Sequence, residues 1–143
     1  MITVELERVA GEYGFKATDA AGHTMQTDSS IENGGLGEGV RPMQSLLMAL
    51  GGCSGIDIVS ILKKQRQVID DFKMKISGER EADKEPSLWK QIEINFYLMG
   101  TIDKEKAERA CALSIEKYCS VAETLRRAGA TITWSVSVNA SEI

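Results

Sequence analysis

The stretch ALGGCSGIDIVSIL (49–62) has apolar residues at helical spacing, yet three glycines crowd around one cysteine. Gly51, Gly52 and Gly55 surround Cys53. Each glycine inside a helix costs about 0.8–1 kcal/mol relative to alanine, so the three together cost roughly 3 kcal/mol. In return, glycine lets another backbone, a substrate or another sulfur come close to the thiol. The pattern therefore predicts a helix with an accessible cysteine.

The predicted helix extends beyond this stretch on both sides. Pro42 suits the first helical position, because its missing N–H would be unpaired there anyway. Basic residues just before Gln67 complement the negative end of the helix dipole, and they indicate an end near that residue. One broad face of the helix is apolar or small. Its members are Leu46, Leu47, Leu50, Cys53, Ser54, Ile58, Ile61 and Leu62.

The rest of the chain reads as short strands and two further helices. Apolar residues alternate with polar ones in six segments, a pattern typical of half-buried strands. These lie at residues 2–6, 13–19, 23–28, 72–76, 92–98 and 132–138. A turn is expected at 19–22, a glycine-rich loop at 28–41, and Asp103 is expected to cap the second helix. The order is three strands, a long helix, two strands, two helices and one strand. This predicts an α+β fold without βαβ alternation, in a single domain over 1–143.

Composition excludes several classes of partner. The chain has 143 residues and a formal net charge of -4, which argues against a surface that follows nucleic-acid phosphates. The first ten residues contain charged side chains, unlike a signal peptide, and the apolar run LLMAL (46–50) is too short to span a bilayer. Three cysteines without paired spacing do not resemble a secreted disulfide framework. We therefore expect a cytoplasmic protein that binds neither nucleic acid nor membrane.

Cys119 stands at the predicted start of a third helix. The following SVAE (120–123) has the spacing of a capping box, and Gly129 is a typical C-terminal signal, so we expect a helix over 121–128. Unpaired N–H groups at a helix start favour a thiolate, which predicts a lowered pKa for Cys119. Cys111 instead lies on the apolar stripe of the second helix and is interpreted as a core residue. For Cys53 and Cys119 the residues alone leave both a reactive and an inert role open.

Other chemistries have weaker support. His23, the only histidine, lies beside the predicted turn, and no motif supports a Ser-His-Asp arrangement. One histidine and three scattered cysteines lack the closely spaced ligand pairs of a zinc site. The glycines of NGGLGEG (33–39) match a dinucleotide-binding loop poorly. We therefore expect no metal ion and no organic cofactor.

Two motifs resemble those of the OsmC/Ohr family of thiol-dependent peroxidases. The first is GEGVRPMQSLLMALGGCSGIDIVSILKKQR (37–66), in which a proline and a leucine-rich turn lead to two small residues and a cysteine. The second is KYCSVAETL (117–125), a Cys-x-Val-x-x-x-Leu pattern opening a helix. The resemblance covers essentially the whole chain, and Gly-Gly-Cys is similar to a less characterised bacterial branch of the family.

The resemblance implies a fold and a mechanism. Family members form intertwined homodimers, in which two antiparallel β-sheets wrap around paired central helices and the active sites lie at the interface. By position, Cys53 corresponds to the cysteine that attacks a small hydroperoxide, and Cys119 corresponds to the resolving cysteine. Oxidation is then expected to link these two and to leave Cys111 free, and a dithiol or redox protein reduces the bridge. The alternative is a ligand-binding or redox-sensing protein on the same fold.

One part of the family pattern is missing. Characterised peroxidases of the family have a glutamate directly after the proline, which orients an arginine over the reactive thiolate. Here Met43 occupies that position and Gln44 follows it. The family arginine comes from the N-terminal strands or the glycine-rich loop, where this sequence has only Arg8 and Arg41. Of the two, Arg41 is our candidate for the catalytic arginine.

Overall fold

The computed structural model describes residues 1–140, and the chain divides into two compact units, Met1–Leu46 and a second unit that starts at Leu47. Elements follow the predicted order of three strands, a long helix, two strands, two helices and one strand. The α+β class is therefore confirmed. A single domain over 1–143 stays a prediction.

The first unit contains a small antiparallel sheet. Its strands are neighbours in chain order: β1 (Glu5–Ala10), β2 (Gly14–Thr18) and β3 (Thr24–Thr27). The predicted turn at 19–22 is present, since the Gly22 N–H donates to the Asp19 carbonyl oxygen at 3.1 Å and Gly22 has a φ of 90°. The expected strand at residues 2–6 is partly wrong. Pairing with β2 begins only at Glu5, so residues 2–4 are not part of the sheet although they continue the alternating pattern.

One buried carboxylate organises the glycine-rich loop at 28–41. Asp28 is buried and accepts hydrogen bonds from three backbone N–H groups: Ser29 (2.7 Å), Leu36 (3.2 Å) and Glu38 (3.3 Å). Burial by itself raises the pKa of Asp28. The three N–H donors, that of Glu38 first, together outweigh this effect, so the pKa of the carboxyl lies below its usual range. The loop is thus held by a charged centre and contains only one short 3₁₀ turn, Ile31–Asn33.

The long helix α1 spans Pro42–Lys64 and begins at the predicted proline. It ends slightly before Gln67 through a Schellman motif: the Gln67 N–H donates to the Leu62 carbonyl and the Arg66 N–H to the Lys63 carbonyl. Arg66 adopts the left-handed conformation that this motif requires, with a φ of 59°. The helix therefore ends just before the left-handed residue Arg66, after a last turn that contains Lys63 and Lys64.

By length and composition, α1 is long and apolar enough to cross a membrane, the one such helix in residues 1–140. The expectation from the sequence rested only on the run LLMAL (46–50), which is too short to span a bilayer, and so missed that the whole helix is long and apolar enough. A core helix of a soluble protein passes the same test, so the finding does not decide between the two.

The second unit contains a three-stranded sheet. It is formed by β4 (Val68–Arg80), β5 (Trp89–Thr101) and β6 (Thr131–Val138), in that order. β4 and β5 form a long antiparallel hairpin, but β6 pairs with β5 in parallel. The expectation that both sheets are antiparallel is therefore wrong for this sheet, which is mixed. Two helices connect β5 to β6 and return the chain to the starting end of β5, as parallel pairing requires.

These two helices are α2 (Lys104–Leu113) and α3 (Ser120–Arg127), and a short π-helical segment, Ser114–Tyr118, lies between them. Asp103 caps α2 as predicted, because its side chain accepts a hydrogen bond from the Lys106 N–H at 3.1 Å. The α3 bounds agree with the predicted 121–128 to within one residue.

The glycines of α1 have different roles. A Cβ atom on Gly51 would lie 2.9 Å from Ile76 Cδ1, and one on Gly55 would lie 2.9 Å from Met74 Cε. These two glycines therefore let α1 lie close against side chains of β4. A Cβ on Gly52 would meet open space, so this glycine faces outward beside Cys53. Close packing and access to the thiol, the two expected gains, thus come from different residues.

Candidate functional site

Two cysteines that are 66 residues apart in sequence lie together in the second unit. Cys53 is half-buried on α1, and Cys119 is buried immediately before α3. Their sulfur atoms and a carboxylate oxygen of Asp57 all lie within 4.8 Å of one another. Both cysteines are free thiols. The arrangement is a dithiol with one half-exposed and one buried member, accompanied by a carboxylate.

The π-helical segment and the start of α3 position Cys119. After this wider turn the chain becomes extended at Cys119, with a ψ of 106°, and its N–H donates to the Ser114 carbonyl oxygen at 2.7 Å. The Cys119 sulfur then accepts a hydrogen bond from the Ala122 N–H at 3.4 Å and so caps α3 itself. Single-turn π-helices are frequent at functional sites, because they re-aim the residues that follow.

The capping box expected at 120–123 is not formed. Ser120 is already the first residue of α3, and Cys119 is the capping residue. The Glu123 carboxylate is turned instead toward the guanidinium groups of Arg126 and Arg127, with N–O distances of 3.0 Å to each. These ion pairs replace the reciprocal hydrogen bond of a capping box.

Burial dominates the electrostatics of Cys119. The pKa of this thiol is raised to about 11, mainly by desolvation and in smaller part by the neighbouring Cys53 thiol, while the Ala122 N–H opposes the rise. The predicted lowering by the helix start is therefore wrong, because α3 has only eight residues and the sulfur is removed from water. Cys119 is protonated at neutral pH.

Cys111 behaves as the core residue that was predicted. It is fully buried on α2, and desolvation, with a contribution from Glu108, raises the pKa of its thiol to about 12. Such a thiol is neither exposed nor ionised near neutral pH, so it packs and does not react.

Asp57 is a site residue that the sequence patterns did not single out. It lies one helical turn after Cys53, and its Oδ2 accepts a hydrogen bond from the fully buried Ser114 hydroxyl at 2.9 Å. The same hydroxyl also approaches the Ser54 carbonyl oxygen, at 3.4 Å. The available signal was the spacing of four residues, which places Asp57 and Cys53 on one face of a helix. The trio of Cys53, Asp57 and Cys119 is also a possible metal-ligand set, which sequence spacing did not predict.

The candidate arginine belongs to the first unit. Arg41 is half-buried, its Nη1 donates to the Gly39 carbonyl oxygen at 3.3 Å, and its charge contributes to the lowered pKa of Asp28. Arg8 is exposed on β1. Within Met1–Leu46, Arg41 therefore helps to hold the glycine-rich loop, and its catalytic role stays a prediction.

The family is decided by a match over most of the chain. Residues 35–135 match the family model described as OsmC-like protein. The chain belongs to the OsmC-like family. The match contains α1 and both cysteines of the dithiol, so the resemblance based on the two motifs is confirmed.

Individual proteins are similar to this chain over nearly their whole length. Protein YhfA of Escherichia coli K12 is 42% identical over 128 residues, which cover 89% of this chain and 91% of YhfA. The crystal structure of a hypothetical protein from Aquifex aeolicus VF5 has 33% identity and a TM-score of 0.80, covering 98% of each chain. An organic hydroperoxide resistance protein OsmC from Legionella pneumophila has a TM-score of 0.73 at 18% identity, covering 96% of this chain and 97% of that one. At 18% identity, this last likeness concerns the fold alone.

Proposed function

We propose that this OsmC-like protein is a thiol-based reductase of organic hydroperoxides or hydrogen peroxide. The observation that carries the proposal is the meeting of a half-exposed thiol, Cys53, with a buried thiol, Cys119, within 4.8 Å. The Legionella pneumophila relative is named for organic hydroperoxide resistance, as is OhrB of Bacillus subtilis. The chemistry suits the cytoplasm, where thiols are kept reduced.

The proposed cycle has three steps. The Cys53 thiolate attacks one peroxide oxygen, so that an S–O bond forms, the O–O bond breaks, and the other oxygen leaves as an alcohol or water after taking a proton. The Cys119 sulfur then attacks the Cys53 sulfenic acid, an S–S bond forms, and the hydroxyl leaves as water with the Cys119 proton. A dithiol reductant returns both cysteines to thiols and is itself oxidised to a disulfide.

Exposure and ionisation favour this division of roles. Cys53 is the more accessible thiol and has the side-chain-free Gly52 beside it, so a peroxide can reach its sulfur. Cys119 is 2% exposed and has a pKa of about 11, so it is poorly suited to attack a peroxide from solution. It is suited to react with a sulfenic acid that forms on Cys53, because a sulfenic acid condenses with a neighbouring thiol to a disulfide.

The arginine of the proposed mechanism is Arg41. A guanidinium next to the reacting sulfur stabilises both the thiolate and the negative charge that develops on the leaving oxygen. The family supplies a glutamate after the proline to orient that arginine, and Met43 occupies this position here. We propose that Arg41 acts without this carboxylate, and that turnover is therefore slower than in family members with the full set.

Met43→Glu is expected to raise peroxide turnover about 10- to 100-fold. Restoring a charge-assisted hydrogen bond is worth about 1.5–3 kcal/mol, and each 1.36 kcal/mol at the transition state is tenfold in rate. The measurement is steady-state consumption of cumene hydroperoxide with dihydrolipoamide. Met43→Gln is the matched control, because it adds a polar group of similar size without charge. Unchanged turnover in Met43→Glu, together with fast wild-type turnover, would show that the site does not depend on this carboxylate.

We also propose that the protein is a homodimer, whose interface includes the outer face of α1. This face is apolar in the second unit and contains Met48, Ile56 and Val59, and Ile56 alone is 74% exposed. A second copy that covers the face removes apolar surface from water, at about 1.5–3 kcal/mol for each isoleucine. The same association would explain how such an apolar helix remains in solution.

Ile56→Lys is expected to weaken the dimer. The two copies of Ile56 together contribute about 3–6 kcal/mol, so the dissociation constant should rise by about 10²- to 10⁴-fold. Light scattering across a dilution series measures the change, and Gln91→Lys, which adds the same single positive charge at an exposed strand position, is the control. A wild-type mass near the monomer value of 15.6 kDa at high concentration would contradict the homodimer.

Catalytic turnover separates this function from its alternatives. A reductase consumes many equivalents of cumene hydroperoxide when dihydrolipoamide is present. A redox sensor on the same fold would be oxidised once and then cycle only slowly. A ligand-binding protein would consume no peroxide and should purify with an apolar ligand that mass spectrometry detects, for example in the cavity of about 600 Å³ beside Gly55, Ile56 and Val59.

A further inference from the structure

We infer that the reduced chain binds one zinc-like divalent cation between Cys53 Sγ, Cys119 Sγ and a carboxylate oxygen of Asp57, with one coordination position left open. The three donor atoms lie within 4.8 Å of one another. In a tetrahedral zinc site, bonds of about 2.0–2.3 Å place the ligand atoms roughly 3.3–3.8 Å apart. Two of the three ligands are half-buried and follow one another by one turn on α1.

Hydrogen bonds already orient two of the three ligands. The Ser114 hydroxyl, which is itself fully buried, donates to Asp57 Oδ2 at 2.9 Å. The Ala122 N–H donates to the Cys119 sulfur at 3.4 Å. Metal sites in proteins rely on such partners, which fix the direction of the ligand atom and stabilise its charge. Here both partners are present on rigid elements before any cation binds.

The donor set selects the class of cation. Two thiolates and one carboxylate suit Zn²⁺ and similar borderline ions, whereas Mg²⁺ and Ca²⁺ require oxygen ligands throughout. Two negative sulfurs and a carboxylate carry three charges, so a divalent cation leaves the site with a net charge of only -1. A cavity of about 660 Å³ that is lined in part by Asp57, Lys64 and Tyr118 gives the carboxylate side of the site access to solvent.

Binding and peroxide reduction would exclude one another. Each cation replaces the protons of the two thiols, which are released to solvent, and both sulfurs are then held as metal ligands. A peroxide cannot oxidise Cys53 until the cation leaves. The inference concerns binding alone and stands even if the protein reduces no peroxide, so the two proposals are tested separately.

The test is a titration of the reduced protein with Co²⁺ under anaerobic conditions, followed by competition with Zn²⁺. The wild type is expected to bind one Co²⁺ per chain, with sulfur-to-cobalt charge-transfer absorption and the visible bands of tetrahedral coordination, and Zn²⁺ should abolish both. Cys53→Ser should lose the charge-transfer intensity of one thiolate. Ser114→Ala should weaken binding by about 10- to 100-fold, because it removes the orienting partner of Asp57. Asp57→Asn should weaken it at least as much.

Cys111→Ala is the control, since this thiol belongs to the core of α2 and should not affect the titration. Circular dichroism of each variant shows whether it is folded. Absence of Co²⁺ and Zn²⁺ binding by the folded wild type overturns the inference, and so does wild-type affinity in folded Asp57→Asn. Loss of binding in folded Cys111→Ala would also overturn it, because a different thiol would then be a ligand.

Discussion

Cys53→Ser is expected to reduce peroxide consumption to the rate of the uncatalysed reaction between hydroperoxide and dithiol. A serine hydroxyl is not ionised near neutral pH and is a far weaker nucleophile than a thiolate, so no S–O bond forms. Removal of a covalent nucleophile costs on the order of 10³-fold or more in rate. The measurement is consumption of cumene hydroperoxide with dihydrolipoamide, in buffer freed of metal ions.

The matched control for this loss is Cys111→Ala. That variant removes a thiol that is buried and has a pKa of about 12, so turnover should stay close to that of the wild type. Circular dichroism of both variants excludes unfolding as the cause. Wild-type turnover in Cys53→Ser would end the reductase proposal, because the other two described cysteines are buried.

Cys119→Ser is expected to stop the cycle after the first oxidation. Without the resolving thiol, the Cys53 sulfenic acid persists when one equivalent of peroxide is added and no reductant is present. Labelling of Cys53 by dimedone, which traps sulfenic acids, should rise from near zero in the wild type to near one adduct per chain. Mass spectrometry of the labelled peptide measures this change.

Excess peroxide gives a second readout for the same variant. An unprotected sulfenic acid is oxidised further to sulfinic acid, which thiols do not reverse. Cys119→Ser should therefore be inactivated by peroxide concentrations that the wild type survives. If Cys119→Ser gives no dimedone adduct and its Cys53 is still recovered as a free thiol, Cys53 does not form a sulfenic acid.

Signals within a few residues predicted the local structure well. Pro42 begins α1, Asp103 caps α2, and Gly129 follows α3 in a left-handed conformation with a φ of 107°. In each case the residue acts on its own helix terminus, so sequence alone contains the cause. The alternation of apolar residues at 92–98 likewise predicted the buried face of β5, where Ile92, Ile94, Phe96 and Leu98 are at most 1% exposed.

Properties that depend on distant parts of the chain were predicted poorly or only through the family resemblance. Alternation in β6 predicts a strand but carries no information on its direction, so the parallel pairing with β5 was missed. Cys119 stands at a helix start, as predicted, but its pKa is raised mainly by burial and also by Cys53, which is 66 residues away in sequence. Asp57 was missed for a similar reason. Its partner Ser114 is 57 residues away, and an isolated aspartate on a helix usually faces water.

The most direct test of the proposed cycle is peptide mapping of the wild type after one equivalent of hydroperoxide, with remaining thiols alkylated before digestion. The account predicts a Cys53–Cys119 disulfide in most molecules, the loss of two hydrogens from the intact mass, and an alkylated Cys111. The 4.8 Å limit on the separation of the two sulfurs is what makes this bridge the expected product. A disulfide that contains Cys111, or a chain that keeps all three thiols after the peroxide is gone, would contradict it.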